Sequence, residues 1–258
     1  KKLMTIKICI ANPKGGTAKT STAVNLCCAL AKEHYKIMLC DLDPQCSATV
    51  SLGYPQADDY HSLAGVLISD NDINPCVMHY ETGNFDILPA NADLTVVPVA
   101  LYNKNDGIFK LKNALKNLEK DYDFIIFDTP AALNIITENA LCAADKLVIP
   151  LYCDYFALDS MYYLLSKCQK LKDEGKSHIE LLGIVRTLYD NTSPLSRYIS
   201  HELKEQFGEL LFSSLMSFNN RVSEAQATGV GIYFYDGSSI SSRQAMLFAK
   251  ELLKRLDI

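Results

Sequence analysis

The sequence predicts an α/β fold in which a parallel sheet is covered by helices on both faces. Two observations lead there. Short apolar runs of strand length alternate along the chain with segments of helical periodicity. The first run ends in a glycine-rich turn, and two later ones end in an aspartate, at the sheet edge where open parallel sheets place their ligand crevice. The 258 residues are 48% hydrophobic and 21% charged, enough for a sizeable core. No linker or internal repeat divides them, so residues 1–258 read as a single domain.

Residues 5–11 (TIKICIA) form the first strand and 21–32 (STAVNLCCALAK) the first helix. Residues 36–41 (KIMLCD) are a buried strand ending in acid, and 45–70 read as short helices and turns. Strands follow at 77–80 and 85–89, then helices at 93–101 and 108–120. The second of these helices sets Leu111, Leu115 and Leu118 on one side and Lys112, Lys116 and Lys120 on another, a solvated face. Residues 124–128 (FIIFD) are a strand, followed by a helix near 135–144, a strand at 146–151, a long helix at 156–172 and a strand at 178–187. Residues 194–207 form a helix with proline in its first turn. A short edge element at 210–212, a short helix at 220–227 and a closing helix at 238–256, with serines to cap it, complete the chain.

The stretch Asn12-Pro13-Lys14-Gly15-Gly16-Thr17-Ala18-Lys19-Thr20-Ser21 joins the first strand to the first helix. A glycine turn in that position is a phosphate cradle: backbone N–H groups of the turn and of the helix start converge on an anion, helped by the helix dipole. Lys19 would reach the β- and γ-phosphates and the Thr20 hydroxyl would ligate Mg²⁺. Asp128 closes its strand as a carboxylate that would hold Mg²⁺, directly or through water. In Asp41-Leu42-Asp43-Pro44-Gln45, Asp43 is placed to orient or deprotonate the water that attacks the γ-phosphate, and it joins Thr20 and Asp128 as a candidate metal contact.

These residues carry a resemblance. Lys-Gly-Gly-x-x-Lys-Thr resembles the deviant Walker A motif of the ParA/MinD ATPases, KGGxGK[ST], with Ala18 in place of a glycine. Residues 41–49 (DLDPQCSAT) look like the ParA switch segment DxDPQxNAT rather than its MinD counterpart. Asp128-Thr129-Pro130-Ala131 resembles DTPP, with Ala131 for the second proline. Residues 217–225 (SFNNRVSEA) resemble the stretch PRNxRxxEA, of which Asn219, Arg221, Glu224 and Ala225 carry over. The matches run nearly end to end.

The resemblance implies a doubly wound, mostly parallel sheet and slow ATP hydrolysis with ATP and Mg²⁺ as cofactors. Lys14, Gly15, Gly16, Thr17, Ala18, Lys19, Thr20 and Ser21 would hold the nucleotide phosphates, and Phe218 and Asn219 would lie against the adenine. Lys14 would act across an ATP-dependent homodimer on the partner's nucleotide. A ParB-like activator and nonspecific duplex DNA are the implied partners, with a cytoplasmic, nucleoid-associated location. The phosphate loop falls within the first dozen or so residues, which fits the short form without an N-terminal helix-turn-helix.

Other classes fit less well. The net charge of −5 argues against a constitutively basic nucleic-acid binder. Residues 186–258 carry eight basic and eight acidic residues, and the Tyr-Asp-x-Arg motif of the resembled family reads Tyr189-Asp190-Asn191-Thr192. DNA binding is therefore expected to need a dimer that aligns Arg197, Arg221, Arg243, Lys250 and Lys254, and to be sensitive to salt. No run of 18 apolar residues appears, so neither membrane spanning nor export is expected. A MinD-like membrane-cycling protein would need the leucines of residues 249–258 as an anchor, whereas they read more simply as the last helix of the domain. A nucleotide-binding scaffold with little hydrolysis stays open through Ala18 and Ala131. Nine cysteines without ligand spacing read as small buried hydrophobes, which disfavours an iron–sulfur reductase.

Overall fold

The computed structural model describes residues 4–54 and 62–258. In chain order the elements begin β1 (Ile6–Ile10), α1 (Lys19–Lys32), β2 (Ile37–Asp41), α2 (Ser47–Ser51), α3 (Leu63–Ser69), β3 (Met78–Tyr80), β4 (Phe85–Leu88), α4 (Val97–Leu101) and α5 (Lys110–Ala114). They continue β5 (Phe124–Asp128), α6 (Ile135–Ala143), β6 (Lys146–Tyr152), α7 (Ala157–Asp173), β7 (Glu180–Thr187), α8 (Pro194–Phe207), β8 (Leu211–Met216), α9 (Asn220–Ala227), α10 (Ile232–Tyr235) and α11 (Ile240–Arg255). All eight strands join one sheet in the order β3-β4-β2-β5-β1-β6-β7-β8, parallel except for the β3–β4 pair. The expected doubly wound, mostly parallel sheet is what the chain forms.

Side chains alternate across the sheet because successive residues of a strand point to opposite faces. Ile8, Ile10, Ile37, Leu39, Phe124 and Ile126 pack under α1 and α11, together with Leu26, Leu30 and Phe248. Cys9, Met38, Cys40, Ile125 and Phe127 face the other way, toward α3 to α8. Both faces are apolar, so the strands read as continuous apolar runs, as a twice-covered parallel sheet requires. All nine cysteines are free and buried, as small hydrophobes.

Register brings the functional edge together. Ile10 and Asp41 each lie abreast of Asp128, so β1, β2 and β5 end side by side at their carboxyl ends. The loops leaving them share one crevice.

Local differences from the sequence pattern have identifiable causes. The helix expected over 108–120 is broken into 3₁₀ turns at 107–109 and 115–117 around the single short α5. Asn139 of α6 accepts from the Leu111 N–H and donates to the Gly107 carbonyl, and Asn74 accepts from the Glu119 N–H. Side chains from distant elements thus take the backbone groups that a continuous helix would use. Lys120 is exposed, as the solvated stripe requires, and also pairs with Asp86. The helix expected over 93–101 is a 3₁₀ segment followed by α4, with proline in the first turn of α4. Helix α1 begins two residues earlier than expected, at Lys19, and β8 runs to Met216 rather than stopping at 212. The short α10 has no counterpart in the sequence reading. For the stretch read as short helices and turns, α2 and α3 agree, while 55–61 lies outside the described residues.

Candidate functional site

The glycine turn between β1 and α1 is braced from three sides. Asn12, 2% exposed, donates to the Pro150 carbonyl at the end of β6 and accepts from the Lys14 N–H. Thr187, ending β7, donates to the Thr17 carbonyl, and Thr129 donates to the Ile10 carbonyl. Gly16 has φ +72°, where glycine alone is unstrained, and the space around both glycines is open. Ala18, the N-cap of α1, has φ 57° and offers no side-chain cap. By contrast α3, α6, α8, α9 and α11 are each capped by a Ser or Asn side chain. The first N–H groups of α1 are thus left for a ligand.

Lys19 is buried, and its ammonium donates to the Lys14 carbonyl at 3.1 Å. Burial lowers its pKa, and the nearby charges of Asp128 and Asp43 work against that shift. Lys14 turns the other way: its ammonium pairs with Asp154 of the β6–α7 loop and lies 5.8 Å from the Phe156 ring centroid.

Asp128 has no exposure, and neither carboxylate oxygen has a hydrogen-bond partner of normal geometry. Burial pushes its carboxyl well above the usual carboxylate range. Repulsion from Asp41 adds to this, while the Thr20 hydroxyl and Lys19 favour the charged form. Burial also raises Asp41, to about 6, against the hydrogen bonds it accepts from Thr49 and Asp43. Asp43 is half-buried at the cavity wall and accepts from the Gln45 N–H at 2.9 Å.

A cavity of about 540 Å³ is lined by the loop from Gly15 to Ser21 and by Asp43, Gln45 and Ala131. A smaller one of about 90 Å³ adjoins it, sharing Ala18, Ser21 and Gln226 and lined also by Phe218 and Asn219. The arrangement is an open cradle over the loop and helix start, adjoining a smaller, more enclosed slot. Every loop residue expected from the sequence lines the larger cavity except Lys14, which faces Asp154. Asn219 lines the slot while also capping α9 through the Arg221 N–H.

The donor set fits Mg²⁺. An unpartnered buried carboxylate at Asp128 beside the Thr20 hydroxyl provides oxygen ligands for a hard cation that keeps several waters and shares phosphate oxygens. No cluster of three His, Cys, Asp or Glu side chains forms a self-sufficient metal cage among the described residues, and Mg²⁺ of this kind needs none.

Sequence reasoning assigned no role to Asn12, Thr187, Gln226 or Gln244. Gln226 donates to the Ser21 hydroxyl, and Gln244 holds Ser217 at both its N–H and its hydroxyl. Gln226 directly follows the Glu224-Ala225 pair, and that position was the available signal.

A family profile described as AAA domain matches residues 5–181. The chromosome partitioning protein ParA of Myxococcus xanthus is 34% identical over 248 residues, covering 96% of this chain and 88% of the relative. The chain belongs to the ParA-type family of P-loop ATPases. The sporulation initiation inhibitor protein Soj of Bacillus subtilis is 33% identical over 245 residues, covering 95% and 97%. Among solved structures, cobyrinic acid a,c-diamide synthase from Mycobacterium smegmatis with bound ADP and magnesium superposes with a TM-score of 0.84. Its identity is 28%, covering 98% of this chain and 96% of that one.

Two outcomes follow from this geometry. Ala18→Gly relieves a left-handed backbone and is expected to raise unfolding stability by about 1 kcal/mol; an unchanged denaturant midpoint would contradict the strain. Asp41 and Asp128 have folded pKa values above their unfolded ones. Their contribution is full below the unfolded value and lost as pH rises through the folded one, which for Asp41 is about 6. In nucleotide-free, metal-free protein the fall in Tm between about pH 5 and about pH 8 is therefore expected to be smaller for Asp128→Asn than for wild type. Equal falls would count against the buried pair.

Proposed function

We propose that the chain is an ATP-driven switch of the partitioning type. It binds ATP with Mg²⁺ in the loop cavity, hydrolyses it slowly, and dimerises around the nucleotide. In that state it binds duplex DNA without sequence preference, and a ParB-like activator stimulates turnover. It works in the cytoplasm, on the nucleoid when ATP-bound, and residues 1–258 act as one ATPase domain. The observation that carries the reading is the convergence of Lys19, the open helix start and Asp43 on one cavity, with the unpartnered Asp128 buried next to Thr20 and Lys19. A relative named as a chromosome partitioning protein, and a similar fold holding ADP and magnesium, support it.

The residues divide the work. Lys19 exchanges its bond to the Lys14 carbonyl for phosphate oxygens and neutralises charge as it builds on the γ-phosphate. Loop N–H groups hold the phosphates in line, and Asp43 accepts a hydrogen bond from the attacking water and orients it. Thr20 and Asp128 would hold Mg²⁺, with Asp43 alongside, and the ion supplies charge neutralisation across the phosphates. Phosphoryl transfer needs little further covalent help from the protein.

Lys14 acts on the nucleotide of a second copy. Its bond to Asp154 does not oppose this strongly, since a partly exposed ion pair contributes about 0–1 kcal/mol and can be exchanged for a phosphate contact. Lys14→Ala is expected to keep monomeric ATP binding and lose the ATP-dependent dimer; light scattering that shows the dimer intact would remove Lys14 from that role.

For DNA, exposure and pairing favour some of the candidate cations over others. Arg243, Lys250 and Lys254 recur at helical spacing on the exposed side of α11. Arg221 is engaged by Glu224 and Asp236, and Arg197 lies on α8. The apolar face of α11 is buried through Phe248, Ala249, Leu252 and Leu253, so these leucines are core rather than a membrane anchor. No helix among the described residues is long and apolar enough to cross a membrane.

The test is ATPase rate and duplex-DNA binding with ATP, with ADP and without nucleotide. ATP-dependent binding that falls with a log–log salt slope of about −0.9 per phosphate contact is expected, weakened more by Arg243→Ala than by Arg221→Ala. An ATP-loaded chain without affinity for duplex DNA at low salt would shift the reading to a nucleotide-binding scaffold.

A further inference from the structure

Asp41 has no solvent exposure, yet the reading above gives it no contact with nucleotide. Its carboxylate is nevertheless fully used. One oxygen accepts from the Asp43 N–H at 3.1 Å. The other accepts from both the Thr49 N–H at 2.8 Å and the Thr49 hydroxyl at 2.7 Å. The hydroxyl in turn accepts from the Ala90 N–H at 3.0 Å, just beyond β4. A single side chain therefore grips both ends of the segment from 43 to 49 and, through Thr49, fixes it to the neighbouring strand.

Within that segment the aim of Asp43 is set by backbone. Its N–H goes to Asp41, its carbonyl accepts from the Cys46 N–H at 2.8 Å, and its carboxylate accepts from the Gln45 N–H. Cys46 sits at φ 55°, a left-handed conformation that an unrestrained chain would leave. The loop keeps this shape because its two ends are tied. A buried carboxylate is costly unless it is hydrogen-bonded, and three donors directed at Asp41 show a site built to take it. An amide with one acceptor oxygen could not accept all three.

We infer that Asp41 and Thr49 are positioning residues for the reaction: the Asp41–Thr49–Ala90 hydrogen-bond chain holds the 43–49 segment so that the Asp43 carboxylate meets the attacking water. The inference rests on the ATPase reading, because Asp43 needs a reaction to be aimed at. Neither residue touches substrate; both act through Asp43.

Thr49→Val keeps the shape and removes the hydroxyl that both donates to Asp41 and accepts from Ala90, whereas Thr49→Ser keeps both bonds. In full-length protein with ATP and Mg²⁺, Thr49→Val is expected to lower kcat about tenfold or more, since small misplacement of a reacting group is costly. KM should stay within about twofold and Thr49→Ser should restore most of the rate. In an Asp43→Ala background the Val substitution should add no further loss, because the group it positions is gone. Amide hydrogen exchange supplies an arm that needs no hydrolysis: protection over residues 43–49 should fall in nucleotide-free Thr49→Val while β1 and β5 stay unchanged. If Thr49→Val does not fold, Asp41→Asn carries the same measurements. A kcat equal to wild type, or a loss of the same size in the Asp43→Ala background, overturns the inference. A wild-type chain that does not turn over ATP overturns the ATPase reading instead, and unchanged exchange over 43–49 then overturns the positioning as well.

Discussion

Asp128 sits without solvent access and with neither oxygen in a hydrogen bond of normal geometry, directly abreast of the equally buried Asp41. An unsatisfied buried polar group costs about 1–3 kcal/mol, and more when charged. Burial raises both pKa values, and repulsion from Asp41 raises that of Asp128 further. Asp41 is compensated by three donors within the chain. Asp128 is not, and the compensation that fits its surroundings is a cation held with the Thr20 hydroxyl and phosphate oxygens. The sheet register that lines up β1, β2 and β5 creates this tension, and in the proposed reading a nucleotide with its metal ion would resolve it.

The surrounding design follows from the same constraint. Lys19 lies near enough to Asp128 to favour its charged form, but the ammonium is spent on the Lys14 carbonyl. Side-chain caps close several other helices, while α1 begins at a strained alanine with no cap. Each of these groups is held in place yet left short of its best partner. A phosphate chain would satisfy the lysine and the helix N–H groups together, so binding energy and order at the site arise from the same contacts.

Much of this was legible in the sequence because the signals were local. A glycine pair between an apolar run and a helical pattern, and aspartates closing apolar runs, fixed the cradle and two of its acids. The parallel sheet followed from the alternation of elements. What escaped depended on contacts between distant residues. The break in the 107–117 region is set by Asn139 and Asn74, far away in the chain. Strand β8 was cut short because Ser213 and Ser214 look like loop residues, whereas the carboxylate of Glu251 on α11 takes both their N–H groups. Thr49 stood within a quoted motif, but only the folded loop shows its hydroxyl joining β2 to the exit of β4. Lys14 was read for a partner subunit, and the structure shows it paired with Asp154 within its own chain.

The most direct test of the central claim is calorimetric titration of ATP and Mg²⁺ into wild type and Lys19→Ala. The account predicts saturable, Mg²⁺-dependent binding to wild type and its loss in the variant, whose cradle keeps its backbone donors but no cation to meet the phosphates. Wild-type affinity in Lys19→Ala would contradict the assignment of this loop as the phosphate site.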